Sequence, residues 1–251
     1  MDLISKKAVI GKNVKICPTS IVHDNVVIGD NTIIESYCII GLPSRNETRN
    51  PLIIGKNSHI RSHSVFYDNS EFERNLVTGH HVLVRDKITA GKYFQIGSYT
   101  ELEGDSFFGE YVKLHSKVHL SLHSKIGHFS WFFPRVQFSA DPLPPSRIEL
   151  PITVGDMSVI ATGSLILPGV TLGIGSFVAA RSVVKDDVPD THCVQGNPAK
   201  YFTRIDRLID FKHKIKHPWP NHFRDEYPEE SFPLMDELLI KIENIIKEKK
   251  E

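Results

Sequence analysis

The chain has 251 residues, of which 40% are apolar and 24% charged, and its 30 basic residues balance its 30 acidic residues. This composition is typical of a globular protein with a full hydrophobic core. A neutral chain lacks the basic field expected of a nucleic-acid-binding protein. No run approaches the roughly 18 consecutive apolar residues of a membrane span. We therefore expect a protein that binds neither nucleic acid nor membrane.

The N-terminal segment MDLISKKAVIGK lacks the apolar core of a secretory signal. The three cysteines, Cys17, Cys38 and Cys193, are far apart in the sequence. Such spacing favours reduced structural thiols over a disulfide framework. These features predict a cytoplasmic protein.

Apolar residues recur at every sixth position along three runs, which start at Ile10, Ile54 and Val154. The runs hold 27 such positions, and Thr78 is the only one that is not apolar. Small or β-branched residues usually stand two positions earlier, and glycine often follows one position later. Because side chains alternate along a strand, the apolar residue and the small one point into the same interior. Glycine would then permit a sharp corner after each strand.

A strand and a corner every six residues close a triangular coil every eighteen. A period of six fits poorly to an amphipathic α-helix, whose period is near 3.6. Successive coils would stack as parallel strands about 4.8 Å apart. The 27 positions predict a parallel β-helix of about nine coils, roughly 43 Å long at that spacing.

Two segments interrupt the repeat, at residues 41–53 and 139–153, and both are Pro-rich and polar, as expected of loops. The repeat stops after Val184. Apolar spacing then predicts helical structure over residues 202–216 and an amphipathic helix over residues 234–250, which would cap the prism or dock on a neighbouring subunit. We therefore divide the chain into a β-helix domain, residues 1–201, and a C-terminal helical extension, residues 202–251.

The pattern [Ile/Leu/Val]-Gly-x-x-[small]-x resembles that of the hexapeptide-repeat acyltransferase superfamily, whose fold is a left-handed parallel β-helix. Residues 161–202 resemble the C-terminal coils of these enzymes, and the segment Gly196-Asn197-Pro198-Ala199-Lys200 is similar to their turn beside CoA. Residues 79–146 resemble a narrower group, the acetyltransferases that act on nucleotide-linked amino sugars. The resemblance implies acetyl-CoA as co-substrate and a homotrimer with sites between subunits.

Positions eighteen apart should stack on one edge of the prism. Asp105, His123 and Asp141 have this spacing and would place His123 about 5 Å from each carboxylate. A neighbouring carboxylate fixes the tautomer of a histidine, which can then accept a proton. We expect His123 to be a general base oriented by Asp141 or Asp105. An exposed column of solvated polar residues, or a purely substrate-binding role, is the alternative.

A second column with the same spacing consists of His63, His81, Tyr99, Lys117 and Arg135. Its cationic members suit a nucleotide's pyrophosphate. We expect His81, Lys117 and Arg135 to bind substrate, and Glu101 and Glu103 to hold the ammonium of an amino sugar. A solvated edge or a trimer contact is the alternative for this column.

The CoA groove is expected along the last coils. Ala161, Ala179 and Asn197 are eighteen apart, and small side chains there would leave the backbone open to the pantetheine amides. The alternative is that corners simply prefer small residues. Six residues border this line and would also contact the cofactor, and the cations among them suit its phosphates. These residues are Thr162, Gly163, Ala180, Arg181, Lys185 and Lys200.

Four histidines, His115, His119, His123 and His128, lie close together in the sequence. A zinc site of the kind found in β-helical carbonic anhydrases needs three imidazoles that converge on one point. The repeat places these histidines on different corners or faces. We therefore expect no metal.

Three functions remain open. The first is direct transfer of an acetyl group from acetyl-CoA to the amine of a nucleotide-linked amino-deoxy sugar, with dTDP as the nucleotide that the resemblance implies. The second is O-acetylation of a small hydroxyl acceptor, such as a sugar or serine. The third is a non-catalytic β-helix scaffold that binds a partner through its tail.

Overall fold

The computed structural model describes residues 3–45 and 50–248. Residues 9–42 form the first two coils, with the strands β1 (Val9–Ile10), β2 (Lys15–Ile16), β3 (Ile21–Val22), β4 (Val26–Ile28), β5 (Ile33–Ile34) and β6 (Ile39–Leu42). A loop separates them from β7. These six strands coincide with the six apolar positions of the first run.

Five further coils follow without interruption. Their strands are β7 (Leu52–Ile54), β8 (His59–Ile60), β9 (Val65–Tyr67), β10 (Ser70–Phe72), β11 (Val77–Thr78), β12 (Leu83–Val84), β13 (Ile88–Ala90), β14 (Gln95–Ile96), β15 (Glu101–Leu102), β16 (Ser106–Phe108), β17 (Lys113–Leu114), β18 (His119–Leu120), β19 (Lys125–Ile126), β20 (Trp131–Phe132) and β21 (Gln137–Phe138). The second loop then leaves the coil and returns at β22.

The last two coils contain β22 (Thr153–Val154), β23 (Val159–Ile160), β24 (Leu165–Ile166), β25 (Thr171–Leu172), β26 (Phe177–Val178) and β27 (Val183–Val184). Every third strand pairs in parallel, which gives three sheets: face I from β1 to β25, face II from β2 to β26 and face III from β3 to β27. The predicted left-handed β-helix of nine coils is confirmed.

The interior is a stack of the apolar positions, as the sequence predicted. Phe66, Phe108 and Ile160 are fully buried, and Thr78 is only 1% exposed. The hydroxyl of Thr78 accepts a hydrogen bond from the amide of Arg61 at 2.9 Å, which satisfies the one polar member of the series. Buried serines at the small positions likewise donate to backbone carbonyls, for example Ser58 at 2.7 Å.

The glycines have a different role from the one the sequence suggested. A Cβ at Gly97 would lie 2.3 Å from the carbonyl carbon of His115, and one at Gly29 would lie 2.4 Å from the amide of Lys56. Glycine is therefore required because the next coil approaches closely. The left-handed backbone of each corner falls two residues later, on residues such as Tyr99 with φ of +60°.

The predicted helix over residues 202–216 is wrong. After β28 (His192–Gly196), the chain turns back as β29 (Ala199–Arg204), and a 3₁₀ turn (Ile205–Arg207) leads into a hairpin of β30 (Ile209–Asp210) and β31 (Ile215–Lys216). β29 forms antiparallel hydrogen bonds along β28 and extends face II. This hairpin pairing, together with the β30–β31 hairpin, overrides a helical spacing that only a 3₁₀ turn retains.

The tail continues with α1 (Pro220–Phe223), two 3₁₀ turns (Arg224–Glu226 and Glu229–Ser231) and α2 (Phe232–Glu248). α2 confirms the predicted helix over residues 234–250, of which residues 249 and 250 lie outside the described part. None of the helices described in residues 3–45 and 50–248 has the length and apolar character needed to cross a membrane.

The tail packs along the side of its own β-helix. Apolar side chains of α2, including Met235 and Ile242, are buried in a second core against the corner between faces I and II. That corner presents Tyr111 stacked on Phe129 at 4.8 Å between ring centroids. Ile242 lies over Gly175. A Cβ added to Gly175 would lie 3.0 Å from Cδ1 of Ile242. The described tail therefore covers one corner and the end of face II.

Candidate active site

His123 and Asp105 stack on the corner between faces III and I. Nδ1 of His123 lies 2.9 Å from Oδ2 of Asp105, and the imidazole is 40% exposed. A carboxylate can only accept, so a proton on Nδ1 would face Asp105, and Nε2 would then be the nitrogen open to an acceptor molecule once Glu149 moves away. Both residues adopt left-handed backbone, at φ of +62° and +42° respectively. The eighteen-residue spacing therefore located this pair correctly.

Asp141 does not join this pair. Its carboxylate accepts hydrogen bonds from the amides of Leu143 (2.9 Å) and Ser146 (2.6 Å) and from the Ser146 hydroxyl (2.6 Å). The Ser146 hydroxyl bond, together with those amides, lowers the pKa of Asp141. Stacking at eighteen residues requires a continuous coil, and the chain leaves the coil after β21. The predicted position of Asp141 beside His123 is thus wrong.

Glu149 takes the place that the sequence assigned to Asp141. It lies in the same loop, and its Oε2 is 3.5 Å from Nε2 of His123. Both side chains are about half exposed, at 52% for Glu149 and 40% for His123. Sequence reasoning missed Glu149 because loop residues have no repeat register from which their neighbours can be predicted.

Three further ionisable side chains lie on face III beside this pair. His119 pairs with Glu101 across neighbouring strands, and its Nδ1 is 3.6 Å from Oε2 of Glu101. Nε2 of His119 lies 3.4 Å from Oε1 of Glu103. Glu101 and Glu103 were both predicted to bind substrate, and the structure places them on the face that leads to His123.

A polar pocket of about 500 Å³ opens on face III below the first loop. It is lined by Ser44, Arg45, Tyr67, Leu83, Arg85, Asp86 and Glu101. The amide of Asp105 donates to the carbonyl of Asp86 at 3.0 Å, so the pocket adjoins the His123–Asp105 pair. Arg45 and Arg85 were not among the site residues predicted from the sequence. Arg85 precedes Glu103 by eighteen residues, and this spacing could have identified it.

The second predicted column does stack, on the corner between faces II and III. The rings of His63 and His81 are 4.6 Å apart and those of His81 and Tyr99 are 4.9 Å apart. Nζ of Lys117 lies 6.0 Å from the Tyr99 ring, and Arg135 continues the column one coil further on. His81, Lys117 and Arg135 do not line the polar pocket on face III.

The predicted CoA column is correct for two of its three members. Ala161 and Ala179 lie above one another because β23 and β26 pair at a spacing of eighteen. Asn197 instead forms part of the turn between β28 and β29, because β28 pairs with β26 at a spacing of sixteen. The chain shortens the corner after β27, where Leu172 already bridges to Val188. The prediction that Asn197 stacks on Ala179 is therefore wrong.

The residues predicted to border the cofactor lie near the same end of the β-helix. The amide of Arg181 donates to the carbonyl of Thr162 at 2.9 Å, which aligns the two neighbouring corners. Lys185 and Lys200 lie 3.1 and 3.8 Å from the carboxylate of Asp186, so both cations have a partner. The exposed members of this corner are Thr162, Gly163, Ala180 and Arg181.

The four clustered histidines occupy different parts of the coil. His115 lies on face II, His119 on face III, His123 on the III–I corner and His128 on the I–II corner. Among residues 3–45 and 50–248, no three His, Cys, Asp or Glu side chains converge as metal ligands do.

Residues 7–42 match the family described as bacterial transferase hexapeptide (six repeats). Over those residues the chain contains the hexapeptide repeat that this family model describes. It is 42% identical over 72 residues to the 2,3,4,5-tetrahydropyridine-2,6-dicarboxylate N-acetyltransferase of Clostridium perfringens, a match that covers 29% of this chain and 30% of that enzyme. It is 43% identical over 56 residues to a Saccharomyces cerevisiae protein provisionally named as an acetyltransferase, covering 22% of this chain and 29% of that protein.

This hexapeptide-repeat protein therefore spans less than a third of the length of the curated relatives it matches. Among solved structures, the UDP-N-acetylglucosamine acyltransferase of Arabidopsis superposes with a TM-score of 0.62 at 17% identity, covering 80% of this chain and 72% of that one. At this identity the likeness is one of fold.

The hexapeptide repeat thus carries an oriented imidazole beside a pocket that contains both cations and carboxylates. A neutral imidazole whose Nδ1–H is held by Asp105 can take a proton at Nε2 from an amine or hydroxyl. Arginine side chains are suited to phosphates and carboxylates, and Glu101 to an ammonium group. The arrangement can therefore bind an anionic, amine-bearing molecule and deprotonate it.

Proposed function

We propose that this hexapeptide-repeat protein is an acyl-CoA-dependent acyltransferase that uses acetyl-CoA to acetylate the amine of a nucleotide-linked amino-deoxy sugar, with dTDP as the nucleotide. The observation that carries the proposal is the position of the His123–Asp105 pair beside the polar pocket of face III. The N-acetyltransferase and acetyltransferase names of the matching relatives support the donor and the reaction class.

The polar pocket of face III is the proposed acceptor site. Arg45 and Arg85 line it and are suited to the diphosphate, since guanidinium groups bind phosphate oxygens in pairs. Glu101 lines the same pocket and attracts the ammonium of the sugar toward His123. In this proposal Glu103 and His119 complete the polar surface between pocket and base.

The proposed reaction is direct transfer. The acceptor amine attacks the thioester carbonyl, a C–N bond forms and the C–S bond breaks. His123 Nε2 takes the proton from the amine and returns it to the departing CoA thiolate, while Asp105 holds Nδ1–H throughout. Glu149 must move from Nε2 to admit the acceptor, and its place in an exposed loop permits this. A backbone amide at a coil corner would stabilise the oxyanion.

The donor site is proposed on the corner formed by Ala161 and Ala179, with Arg181 for a CoA phosphate. This corner lies between faces II and III, whereas His123 lies between faces III and I. A cytoplasmic homotrimer would bring the corner of one subunit to the base of the next, which completes the site. Sedimentation that gives a monomer at micromolar concentration would contradict this arrangement.

Release of free CoA thiol tests the activity. The protein is incubated with acetyl-CoA and a panel of dTDP-linked amino sugars, with the corresponding hydroxy sugars as matched acceptors. We expect thiol release with the amino sugars alone. The absence of CoA binding in calorimetry at millimolar CoA would refute the acyltransferase proposal, whereas CoA binding without turnover would refute only the choice of acceptor.

O-acetylation of a sugar or serine is the second candidate. The observation in its favour is the His123–Asp105 pair itself, because a hydroxyl depends on a base even more strongly than an amine does. Thiol release with the hydroxy acceptors would select this alternative.

A further inference from the structure

A cavity of about 380 Å³ lies between face II and the tail, away from the His123 site. Eight of its ten lining residues carry rings: His115, Trp131, Phe133, Val159, Ala161, Phe177, His217, Trp219, His222 and Phe223. The β-helix supplies one wall and the tail supplies the other. A cavity lined this densely by rings offers flat faces on which a planar group can stack.

The rings of the two walls are already arranged against each other. On the β-helix wall, His115 stacks on Phe133 at 4.8 Å with 17° between the planes. Trp131 reaches across to the tail, where its ring centroid is 5.9 Å from that of Trp219 and 5.4 Å from that of Phe223. Docking of the tail therefore builds the cavity.

Two of the histidines that line this cavity, His115 and His217, have lowered pKa values and are uncharged near neutral pH. Burial, with a further contribution from His222, lowers the pKa of His217 to about 4. Burial, followed by the charge of Lys113, also lowers the pKa of His115. Neutral imidazoles each offer one donor and one acceptor. The cavity thus combines stacking surfaces with hydrogen-bonding groups of the kind that pair with a heterocyclic base.

Two unpaired nitrogen atoms in the side chains that line the cavity favour a ligand that forms hydrogen bonds. Nε1 of Trp219 and Nδ1 of His217 are buried and have no hydrogen-bond partner within residues 3–45 and 50–248. Nδ1 of His222 donates to the carbonyl of Lys216 at 3.0 Å, so that histidine is held in place by the tail backbone. A purely apolar chain would leave these groups unpaired, whereas a base brings its own donors and acceptors.

A polar groove of about 370 Å³ continues from the cavity along face II and shares His115 and Trp131 with it. Arg61 and Lys113 line this groove. Nζ of Lys113 lies 4.5 Å from the Trp131 ring and 4.1 Å from the Tyr227 ring. In the described part of the chain no carboxylate lies within 4 Å of Lys113, although the charge of Glu226 acts on it, so the groove has a cation available for an anion.

We propose that the cavity and groove on face II form a nucleotide-binding site, in which the rings stack on a base and Lys113 binds its diphosphate. Two molecules share this chemistry, the adenosine end of CoA and a pyrimidine nucleotide. The proposal rests on the acyl transfer proposed above and deepens it, because Ala161 lines this cavity and also belongs to the proposed donor corner, while neither His123 nor the face III pocket takes part.

Tryptophan fluorescence tests this directly, because the only two tryptophans of the chain, Trp131 and Trp219, both line the cavity. The full-length protein is titrated with ADP and with dTDP, and with inorganic pyrophosphate and dodecanoate as probes of the anion and of an apolar chain. We expect saturable quenching by at least one nucleotide below millimolar concentration and none by pyrophosphate. Preference for ADP identifies CoA as the source, and preference for dTDP identifies a pyrimidine nucleotide.

Two variants with matched controls localise the binding. Phe133→Leu removes a stacking ring and should weaken nucleotide binding about tenfold, while Phe107→Leu, an exposed position on face I, should not. Lys113→Met should weaken it about tenfold and reduce its salt dependence, while Lys125→Met on face I should change neither.

Saturable quenching by dodecanoate with none by either nucleotide would overturn the proposal in favour of an apolar chain. Nucleotide binding that Phe133→Leu and Lys113→Met both leave unchanged would also overturn it. Because His123→Ala should retain full quenching, failure of acyl transfer and failure of this site remain distinguishable.

Discussion

Faces II and III of the same β-helix have opposite chemistry. On face III, Glu101, Glu103 and His119 remain half exposed around a pocket that contains arginines. At the end of face II, the tail covers the outward residues, and burial lowers the pKa of Lys113 to about 8. The repeat dictates only which positions point inward, so the outward positions of each face are free to differ. Covering the end of one face with the tail takes its outward side chains out of water, while the uncovered face keeps its charges in water.

The largest expected effect concerns the uncovered face. His123→Ala should lower kcat for acyl transfer by about 100- to 10,000-fold, because it removes the proposed proton acceptor. Steady-state thiol release measures it. His213→Ala, an exposed histidine bonded to Asp210 in the β30–β31 hairpin, is the matched control and should keep the wild-type rate. An unchanged kcat in His123→Ala would remove this residue from the mechanism.

The covered face depends on the docking of α2. Ile242→Ala should destabilise the tail by about 2–5 kcal/mol, since Ile242 is fully buried in the second core. Ile240 lies on the same helix and is 59% exposed, so Ile240→Ala should lower the free energy of unfolding much less. Urea unfolding followed by tryptophan fluorescence reports on the tail, because both tryptophans lie in its contact with face II. Equal losses in the two variants would mean that α2 does not dock as described.

Acid should loosen the covered face first. The folded pKa of His217, about 4, lies below its ordinary value of 6.5, so the folded protein resists a proton that the unfolded chain accepts. The stabilisation that neutral His217 contributes is therefore fully present above pH 6.5 and is lost as the pH falls toward 4. The loss amounts to at most about 3 kcal/mol. Between pH 7 and pH 4.5, the free energy of unfolding should fall more in the wild type than in His217→Phe. Parallel pH profiles would contradict this assignment.

The smallest expected effect is the difference in kcat between variants of Asp105 and Asp141. Asp105→Asn should lower kcat about tenfold, because it weakens the bond that holds Nδ1–H of His123. Asp141→Asn should have less effect on kcat, since Asp141 bonds only within its own loop. Thiol release for the two variants decides between them. A greater loss in Asp141→Asn would favour the sequence-based arrangement over the one described.

The repeat register predicted neighbours only where the coil is continuous. Asp105 and His123 follow one another in unbroken coils, and their spacing located them within hydrogen-bonding distance. Asp141 and Asn197 lie just beyond a loop and a shortened corner, and both predictions failed there. Glu149 and Arg45 come from loops, so no spacing in the sequence indicated that they approach face III.

By itself, the sequence determined the β-helix: 27 inward positions at a period of six specify three parallel sheets, because burial of each position requires the coil to close every eighteen residues. The tertiary structure alone decided what covers each face. Residues 202–204 belong to β29, which pairs with β28, and residues 209–216 form the β30–β31 hairpin, so this stretch is not a helix. α2 lies on the I–II corner, where Ile242 fits over Gly175, a contact between distant segments that depends on shape rather than on local periodicity.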